Sequence, residues 1–142
     1  MPTGQIALLI AALFAGAALY VSIAEHPARI AAGEAAGLAQ WKPSYRRAKL
    51  LQGGLALIGG AIAFALWWRS LNQLWLIGAL LLLANWPWTL LAMRNLNRRL
   101  ETAEPGPESG ELLARWGRLH AVRTLLGLAS AIAMLAALNW RL

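Results

Sequence analysis

Long uncharged stretches dominate the pattern of hydrophobic and polar positions along the chain. A membrane-spanning helix needs roughly 20 apolar residues, and four stretches reach or approach that length: residues 1–24, 50–68, 70–93 and 124–140. The last one reaches a full span if its helix begins about one turn earlier. The pattern therefore predicts an all-α fold, an integral membrane four-helix bundle, with spans over about residues 4–25, 47–68, 73–94 and 118–139.

Composition supports a single membrane domain over residues 1–142. The chain is 59% hydrophobic and 13% charged, whereas a soluble domain is about 25% charged. It contains no cysteine, which excludes disulfides and thiolate metal sites. The first stretch has no basic n-region and is longer than a signal-peptide h-region of roughly 7–15 residues. We therefore expect a retained first helix rather than a cleaved signal.

Prolines and turn residues predict where the helices begin and end. Pro27 predicts a kink or a stop at the end of the first helix, and residues 30–43 predict a short helix at the membrane interface. Pro43 is expected at the first position of the second membrane helix. A flexible loop is expected over residues 101–110, with Ser109 as the N-cap of the last helix.

Basic residues are concentrated on one side of the predicted bundle. Four spans place both termini on one face and both longer connections on the other, and the connections' face holds eleven of the thirteen Lys and Arg residues. The exceptions are Arg69 and Arg141. The positive-inside rule then predicts an up-down-up-down bundle in the cytoplasmic (inner) membrane, with both termini on the non-cytoplasmic side. No basic face remains for nucleic acid, so we expect none as a partner.

A polar stripe opens the last apolar stretch. Trp116, His120 and Arg123 stand at i, i+4 and i+7, so they share one face of a helix. The predicted topology brings the ends of the other three helices to the same depth, and a polar pocket facing the cytoplasm is expected between them. A Glu25–Arg123 ion pair is the simplest arrangement, because Glu25 is the only acidic residue at that depth. The other residues expected there are His26, Tyr45, Arg47 and Asn95.

Asn85 and Thr89 form a second polar face, at i and i+4 beside Pro87 in the middle of the third span. Two interpretations remain open. The two side chains bond across helices and to carbonyl groups freed by the proline, or they line a pocket between the helices.

Several residue types at this depth suit one kind of chemistry. A carboxylate, two imidazoles and arginines beside aromatic rings fit proton abstraction from a weakly acidic, apolar substrate. Trp41, Trp88 and Trp116 offer indole faces for a planar ring system. Haem or metal ligation competes with this interpretation, with His26 and His120 as the only candidate imidazoles. Neither belongs to a metal-binding motif, and no phosphate loop or Ser/His/Asp nucleophile pattern is visible.

The chain also resembles a known family. The residues that carry the resemblance are Gly16-x-x-x-Tyr20, Glu25-His26-Pro27-Ala28-Arg29, Trp41-x-x-x-Tyr45-Arg46-Arg47, Trp86-Pro87-Trp88-Thr89, Asn95 and Leu112-Leu113-x-x-Trp116-x-x-x-His120-x-x-Arg123. This pattern is similar to that of the small four-helix membrane proteins that include the anthrone (noranthrone) oxygenases. The third helix of that family often ends in Pro-x-Asn, where this chain has Met93-Arg94-Asn95.

The resemblance implies a monooxygenase-like activity on an anthrone, or on a related lipophilic aromatic or quinone-like compound, with O₂ and no organic cofactor. In the implied mechanism a base removes a proton, the carbanion reduces O₂ and an arginine stabilises the anion. Carried over to this chain, His120 or Glu25 is the base and Arg123 is the stabiliser. The expected substrate-binding residues are Trp116, Trp88, Arg47, Asn95, His26 and Tyr45.

Two other functions stay open at this point. One is a non-enzymatic membrane subunit whose Trp/His/Arg stripe docks a partner protein or lipid headgroups, and the other is a haem- or metal-binding protein. Ion transport is disfavoured, because the outer half of the predicted bundle has no ionisable residue within its spans. The expected partners are the lipid bilayer and a lipophilic small molecule, and a homo-oligomer is compatible with the same pattern. A closed pocket beneath His120 that contains Glu25, Arg47 and Arg123 would favour the enzyme.

Overall fold

Four long helices make up almost all of the structure, a computed structural model that describes residues 2–140. They are α1 (Pro2–Ala31), α2 (Glu34–Ser70), α3 (Gln73–Thr102) and α4 (Pro107–Asn139). Each is long and apolar enough to cross a membrane, and residues 2–140 contain no strand. The prediction of an all-helical fold with four span-length helices, typical of a multi-pass membrane protein, is confirmed. Met1, Arg141 and Leu142 belong to the predicted 1–142 domain and lie outside the described residues.

Helix α1 passes through Pro27 without stopping. It is α-helical over Pro2–Tyr20, widens into one π-helical turn over Val21–Glu25, and returns to α-helix over His26–Ala31. Proline lacks the N–H that a helix interior needs, and its ring clashes with the carbonyl group four residues before it. The wider turn directly before Pro27 changes that hydrogen-bond pattern. The helix therefore runs on, and a stop at Pro27 is wrong.

Helix α2 begins at Glu34, well before the predicted start at Pro43. Gly33 separates it from α1 with a φ of 92°, a conformation that glycine adopts without strain. Leu38 and Trp41 are buried against the bundle, and burying a large apolar side chain contributes about 1.5–3 kcal/mol. Together they offset the cost of about 3 kcal/mol for a proline inside a helix. The separate interfacial helix predicted before Pro43 is therefore wrong.

Helix α3 follows a tight connection of two residues, Leu71 and Asn72. Leu71 adopts a left-handed conformation with a φ of 56°. The Asn72 side chain caps the helix by accepting a hydrogen bond from Leu74 N at 3.0 Å. A second π-helical turn spans Thr89–Met93, and the helix then continues to Thr102, beyond its predicted end.

Helix α4 begins at Pro107, and Gly106 occupies the N-cap position. Ser109 is the third residue of the helix, where its Oγ accepts a hydrogen bond from Gly106 N at 3.1 Å and donates one to Gly106 O at 2.9 Å. The prediction of Ser109 as the N-cap is therefore wrong. Only residues 103–106 connect α3 to α4, instead of the longer flexible loop predicted over residues 101–110.

Each of the four helices packs along two neighbours. Helices α1 and α3 both pack against α2 and against α4. Near the start of α1, a Cβ atom added to Gly4 would meet Leu138 of α4 and Trp75 of α3. Further along α1, Ser22 Oγ lies 2.8 Å from Thr124 Oγ1 of α4. These contacts bring the second half of α1 close to the first half of α4, where the polar stripe lies.

Two clusters of buried side chains form the core. The alanine-rich region consists of Ala7, Ala11, Phe14, Ala18, Ala56, Ala63, Leu66, Trp75, Ala79, Leu82, Met134 and Ala137. The aromatic region consists of Val21, Leu38, Trp41, Met93, Leu96, Leu100, Leu112, Leu113 and Trp116. Between the two regions, on α2, α3 and α4, lies a polar layer of buried side chains: Gln52, Asn85, His120, Arg123 and Thr124.

Candidate functional site

Trp116 lies at the centre of the aromatic region and is only 5% exposed. Its ring stacks on His120 with the centroids 4.8 Å apart, tilts against His26 at 5.2 Å and meets Trp41 edge-on at 6.0 Å. Its Nε1 donates to Asn97 Oδ1 at 3.0 Å. Protein groups therefore occupy the ring faces that were expected to stack on a substrate. Trp116 instead holds both imidazoles in place.

Glu25 pairs with Arg29 on its own helix. Arg29 Nη2 donates to Glu25 Oε1 at 2.9 Å, and the same oxygen accepts hydrogen bonds from Ser44 Oγ at 2.6 Å and Gln40 Nε2 at 2.7 Å. Because Arg29 stands one helical turn after Glu25, this pair needs no contact across the bundle. The predicted Glu25–Arg123 ion pair is wrong, and Glu25 lines none of the cavities described below.

His26 is tied to Arg29 as well. Arg29 Nη1 lies 3.0 Å from His26 Nδ1, and because a guanidinium only donates, the proton of the neutral imidazole is on Nε2. A metal bound at Nε2 requires the opposite tautomer, with the lone pair on Nε2. The contact with Arg29 therefore opposes haem or metal ligation by His26. Among residues 2–140, no group of three or more His, Cys, Asp or Glu side chains is placed to share a metal ion.

His120 is 2% exposed and begins a chain of hydroxyl groups. Its Nδ1 lies 3.2 Å from Ser22 Oγ, which lies 2.8 Å from Thr124 Oγ1. That oxygen in turn lies 3.1 Å from the carbonyl oxygen of Ala18. Since a carbonyl only accepts, the direction that satisfies every group runs from the imidazole N–H through both hydroxyls to the carbonyl. In the neutral imidazole this direction puts the proton on Nδ1 and leaves the lone pair of Nε2 free.

Arg123 is 8% exposed, and within residues 2–140 its guanidinium has no ion pair or hydrogen bond. The guanidinium carbon lies 5.8 Å from the centroid of the Phe14 ring, a weak cation–π contact. Beside Arg123 is a void of about 20 Å³, which is room for about one water molecule. Other residues that line the void are Trp41, Gln52, Trp116 and His120.

Arg123 also lines a larger cleft, of about 180 Å³, between α2 and α3. Trp86 and Leu90 at its rim are exposed, so the cleft opens on the outer surface of the bundle at the depth of the spans. Its other lining residues are Tyr45, Lys49, Gly53 and Ala56 of α2 and Asn85 and Thr89 of α3. Tyr45 and Lys49 also line the void and an open groove of about 700 Å³, so the three cavities adjoin one another. The groove is completed by Thr89, Leu90, Arg94, Asn97, Arg98, Arg99, Glu101 and Thr102.

The contacts of Asn85 and Thr89 agree in part with each of the two interpretations that the sequence left open. Its Nδ2 donates to Leu82 O at 3.0 Å, one turn earlier in α3. Its Oδ1 and the Thr89 hydroxyl are buried without a hydrogen-bond partner among the described residues, and both residues line the cleft.

Four predicted substrate-binding residues line none of these cavities, and His26, described above, is one of them. Arg47 and Asn95 are exposed and line neither the cleft, the void nor the groove. Trp88 is half-buried and donates from Nε1 to Leu119 O at 3.0 Å, which ties α3 to α4. Tyr45, by contrast, lines all three cavities and stacks on Trp41 with the ring centroids 4.6 Å apart.

Three further residues are buried at or beside the site and were not among the predicted site residues: Arg29, Gln52 and Asn97. Asn97 had a usable signal, because it stands at i+4 in the stripe that Met93 begins, with Leu96 at i+3 and Leu100 at i+7. Asn95 lies about 200° around the helix from Asn97 and is exposed. Arg29 had a usable signal, since it stands one turn after a carboxylate. Gln52 had one too, as a single amide inside an uncharged stretch.

Most residues of the candidate site lie in a segment of the chain that matches a known protein family. A family model described as anthrone oxygenase matches residues 41–133, about two thirds of the chain. The chain belongs to the anthrone oxygenase family. The matched range of this anthrone oxygenase family member contains Trp116, His120 and Arg123, whereas Glu25 and Arg29 precede it. No curated protein and no solved structure matches the chain. Family membership and four span-length helices together indicate a membrane oxygenase-like role.

Proposed function

We propose that the protein is a membrane oxygenase that acts with O₂ on a lipophilic aromatic or quinone-like compound by base-assisted proton abstraction. The observation that carries this proposal is Arg123, a buried guanidinium with no ion pair or hydrogen bond within residues 2–140, which lines both the cleft and the void at His120. A charge buried within a span without a partner is costly, and an anionic ligand offsets that cost. Family membership supports the reaction class.

The cleft suits a substrate that is dissolved in the bilayer. Its rim residues Trp86 and Leu90 are exposed on the outer surface of the bundle, so a lipophilic molecule reaches the cleft from the lipid. Its inner wall carries the polar groups of Asn85, Thr89 and Arg123. The volume of about 180 Å³ lies below the roughly 300–1,000 Å³ of drug-sized pockets, which favours a compact ring system.

The overall reaction converts an activated methylene group to a carbonyl group. One oxygen atom of O₂ enters the product and the other leaves as water, which carries away both methylene hydrogens. The base takes the first proton, the resulting carbanion passes its electrons to O₂, and the second proton is lost as the carbonyl forms. Arg123 binds the substrate oxygen on which negative charge develops.

His120 rather than Glu25 is the base in this proposal. The hydroxyl chain through Ser22 favours the tautomer with a free Nε2 lone pair, whereas Glu25 Oε1 accepts from three donors and Glu25 lines none of the three cavities. His120 lines the void and not the cleft. One water in the void therefore connects Nε2 to a substrate in the cleft. No step requires an organic cofactor or a metal ion.

We propose an up-down-up-down bundle, one domain over residues 1–142, in the cytoplasmic membrane with both termini on the non-cytoplasmic side. The concentration of basic residues on the face of the longer connections supports this orientation. Because the chain has no cysteine, single cysteines report it directly. A membrane-impermeant maleimide should label Ser70→Cys in intact cells and should label Thr102→Cys only after lysis. The opposite labelling pattern would reverse the orientation.

Oxygen uptake by the purified protein in lipid nanodiscs, with an anthrone as the probe, tests the function. We expect O₂ consumption and formation of the corresponding anthraquinone in equal amounts, above the rate without protein. Arg123→Gln should lower kcat by about 10²–10³-fold, the usual cost of removing one group that stabilises a developing anion. Arg47→Gln is the matched control, because Arg47 is exposed and lies outside the cavities.

Two results would contradict the proposal. Uptake at the protein-free rate would remove the oxygenase function and favour a docking role for the polar stripe. An equal loss of activity in Arg123→Gln and Arg47→Gln would show that the effect comes from general surface charge and not from a buried anion site.

A further inference from the structure

Asn85 holds an unused hydrogen-bond acceptor inside the cleft. The residue is 2% exposed, and its Nδ2 donates to Leu82 O at 3.0 Å. Because a carbonyl only accepts, this contact fixes which end of the amide is the nitrogen and leaves Oδ1 for another partner. Oδ1 is buried and has no hydrogen-bond partner among the described residues. A ligand that brings a donor into the cleft satisfies it.

Thr89 adds a second unpaired group on the same face of α3. It stands four residues after Asn85, lines the same cleft, and its Oγ1 is buried without a partner in the described chain. A threonine inside a helix often donates to the carbonyl group one turn before it. Thr89 is the first residue of the π-helical turn Thr89–Met93, where the backbone hydrogen-bond pattern shifts. Its hydroxyl is therefore available to a ligand.

Two further residues define what fits between these groups. The Arg123 guanidinium, itself 8% exposed, supplies hydrogen-bond donors to the cleft. Trp86 supplies an aromatic side chain, and its Nε1 donates to Gly53 O at 3.2 Å, which fixes the indole against α2. Donors from Arg123, an acceptor on Asn85 and an aromatic wall together match a planar ring that carries a hydroxyl group.

We infer that Asn85 is a specificity-determining residue, whose Oδ1 accepts a hydrogen bond from a phenolic or enolic hydroxyl group of a planar ligand in the cleft. The oxygen of that hydroxyl group accepts from Arg123, and Thr89 lies beside it. A site with a buried acceptor rejects a ligand that lacks the donor, because its own acceptor then stays unpaired. This inference rests on the proposed function only in taking the cleft as the substrate site, and it requires no turnover.

Two small probes separate the donor from the rest of the ligand. Naphthol and its methyl ether share the ring and the acceptor oxygen, and only naphthol has a hydroxyl donor. We expect the protein in lipid nanodiscs to bind naphthol about tenfold more tightly than the ether, the effect of about one hydrogen bond. Isothermal titration calorimetry measures both affinities, and empty nanodiscs correct for partition into lipid.

Asn85→Leu should reduce the naphthol preference to about one, by weakening the binding of naphthol and not that of the ether. Asn95→Leu is the matched control, because Asn95 is an exposed amide on the same helix, and it should keep the tenfold preference. Asn85→Asp retains an acceptor at this position and should also keep the preference. Binding of the ether shows that each variant is folded.

The outcomes distinguish this inference from the proposed function. A preference that survives Asn85→Leu, or a protein that binds both probes equally, would overturn the role of Asn85. Loss of the preference in Asn85→Leu, in a protein that consumes no O₂ with anthrone, would support the hydroxyl site and remove the oxygenase. Uptake of O₂ without any naphthol preference would support the oxygenase and remove the hydroxyl site.

Discussion

The alanine-rich region and the aromatic region of the bundle differ in how their buried side chains pack and in how many buried polar groups lack a hydrogen-bond partner. In the alanine-rich region small residues let the helices approach closely, and a Cβ atom added to Gly78 would lie 2.7 Å from Met134 Cγ. The buried hydroxyl of this part, on Ser130, donates to Gly78 O at 2.7 Å. Close packing of this kind is what associates helices inside a membrane, where burial from water contributes little.

The aromatic region and the polar layer beside it leave polar groups unpaired. Six buried side-chain polar atoms within residues 2–140 have no hydrogen-bond partner. Trp67 Nε1 lies in the alanine-rich part, and the other five belong to His26, Trp41, Asn85, Thr89 and Arg123. An unpaired buried group costs about 1–3 kcal/mol. Five of the six unpaired groups within residues 2–140 therefore lie in or beside the aromatic region, where a ligand or a water satisfies them.

The largest expected effect is on activity, and it is confined to the aromatic region and the polar layer beside it. His120→Ala should lower the rate of anthrone oxidation by about 10²–10⁴-fold, the usual contribution of a general base. Ser130→Ala removes a buried hydroxyl from the alanine-rich region and should leave the rate unchanged. Oxygen uptake in nanodiscs measures both variants. A comparable loss of activity in Ser130→Ala would erase the functional difference between the two regions.

The next largest effect is on stability, and we expect it in the alanine-rich region. A Cβ atom at Gly127 would lie 2.7 Å from Phe14 Cδ1 and 3.3 Å from the Cα of Ala15, so Gly127→Ala should lower the free energy of unfolding by about 1–3 kcal/mol through overpacking. Gly16→Ala is the matched control, since nothing lies within 4 Å of its added Cβ. Thermal unfolding in detergent should show a lower Tm for Gly127→Ala alone. Equal Tm values would mean that the helices are not tightly packed there.

The smallest effect compares two half-buried carboxylates whose arginine partners differ in exposure. Glu25→Gln removes the charge opposite Arg29, whose side chain is 1% exposed, and should cost about 1.5 kcal/mol, as for hydrogen bonds to charged groups. Glu101→Gln breaks a pair in which the Arg46 side chain is 60% exposed, and should cost less than about 0.5 kcal/mol. Chemical denaturation in mixed micelles measures both. A larger loss of stability for Glu101→Gln would contradict the expectation that the Glu25–Arg29 pair stabilises the protein more than the Glu101–Arg46 pair does.

The number of span-length helices and the shared helix face of the polar stripe were predictable, because both depend on local sequence. Sustained hydrophobicity over span length requires a membrane helix, and the spacing of Trp116, His120 and Arg123 places them on one face of any α-helix. The partner of Arg123 was not predictable. The carboxylate expected for it pairs instead with Arg29, one helical turn later on the same helix.

The two π-helical turns separate what local pattern determines from what the folded bundle decides. Hydrophobic periodicity assumes a constant rotation of about 100° per residue, and from that rule the sequence determined four spans and one polar helix face. The π-helical turns over Val21–Glu25 and Thr89–Met93 break the rule. Each such turn adds one residue and shifts the inward positions that follow by about 100°. Contacts between helices decide such turns. Contacts between helices also place Arg123 at a cleft instead of beside a carboxylate, and only the tertiary structure shows them.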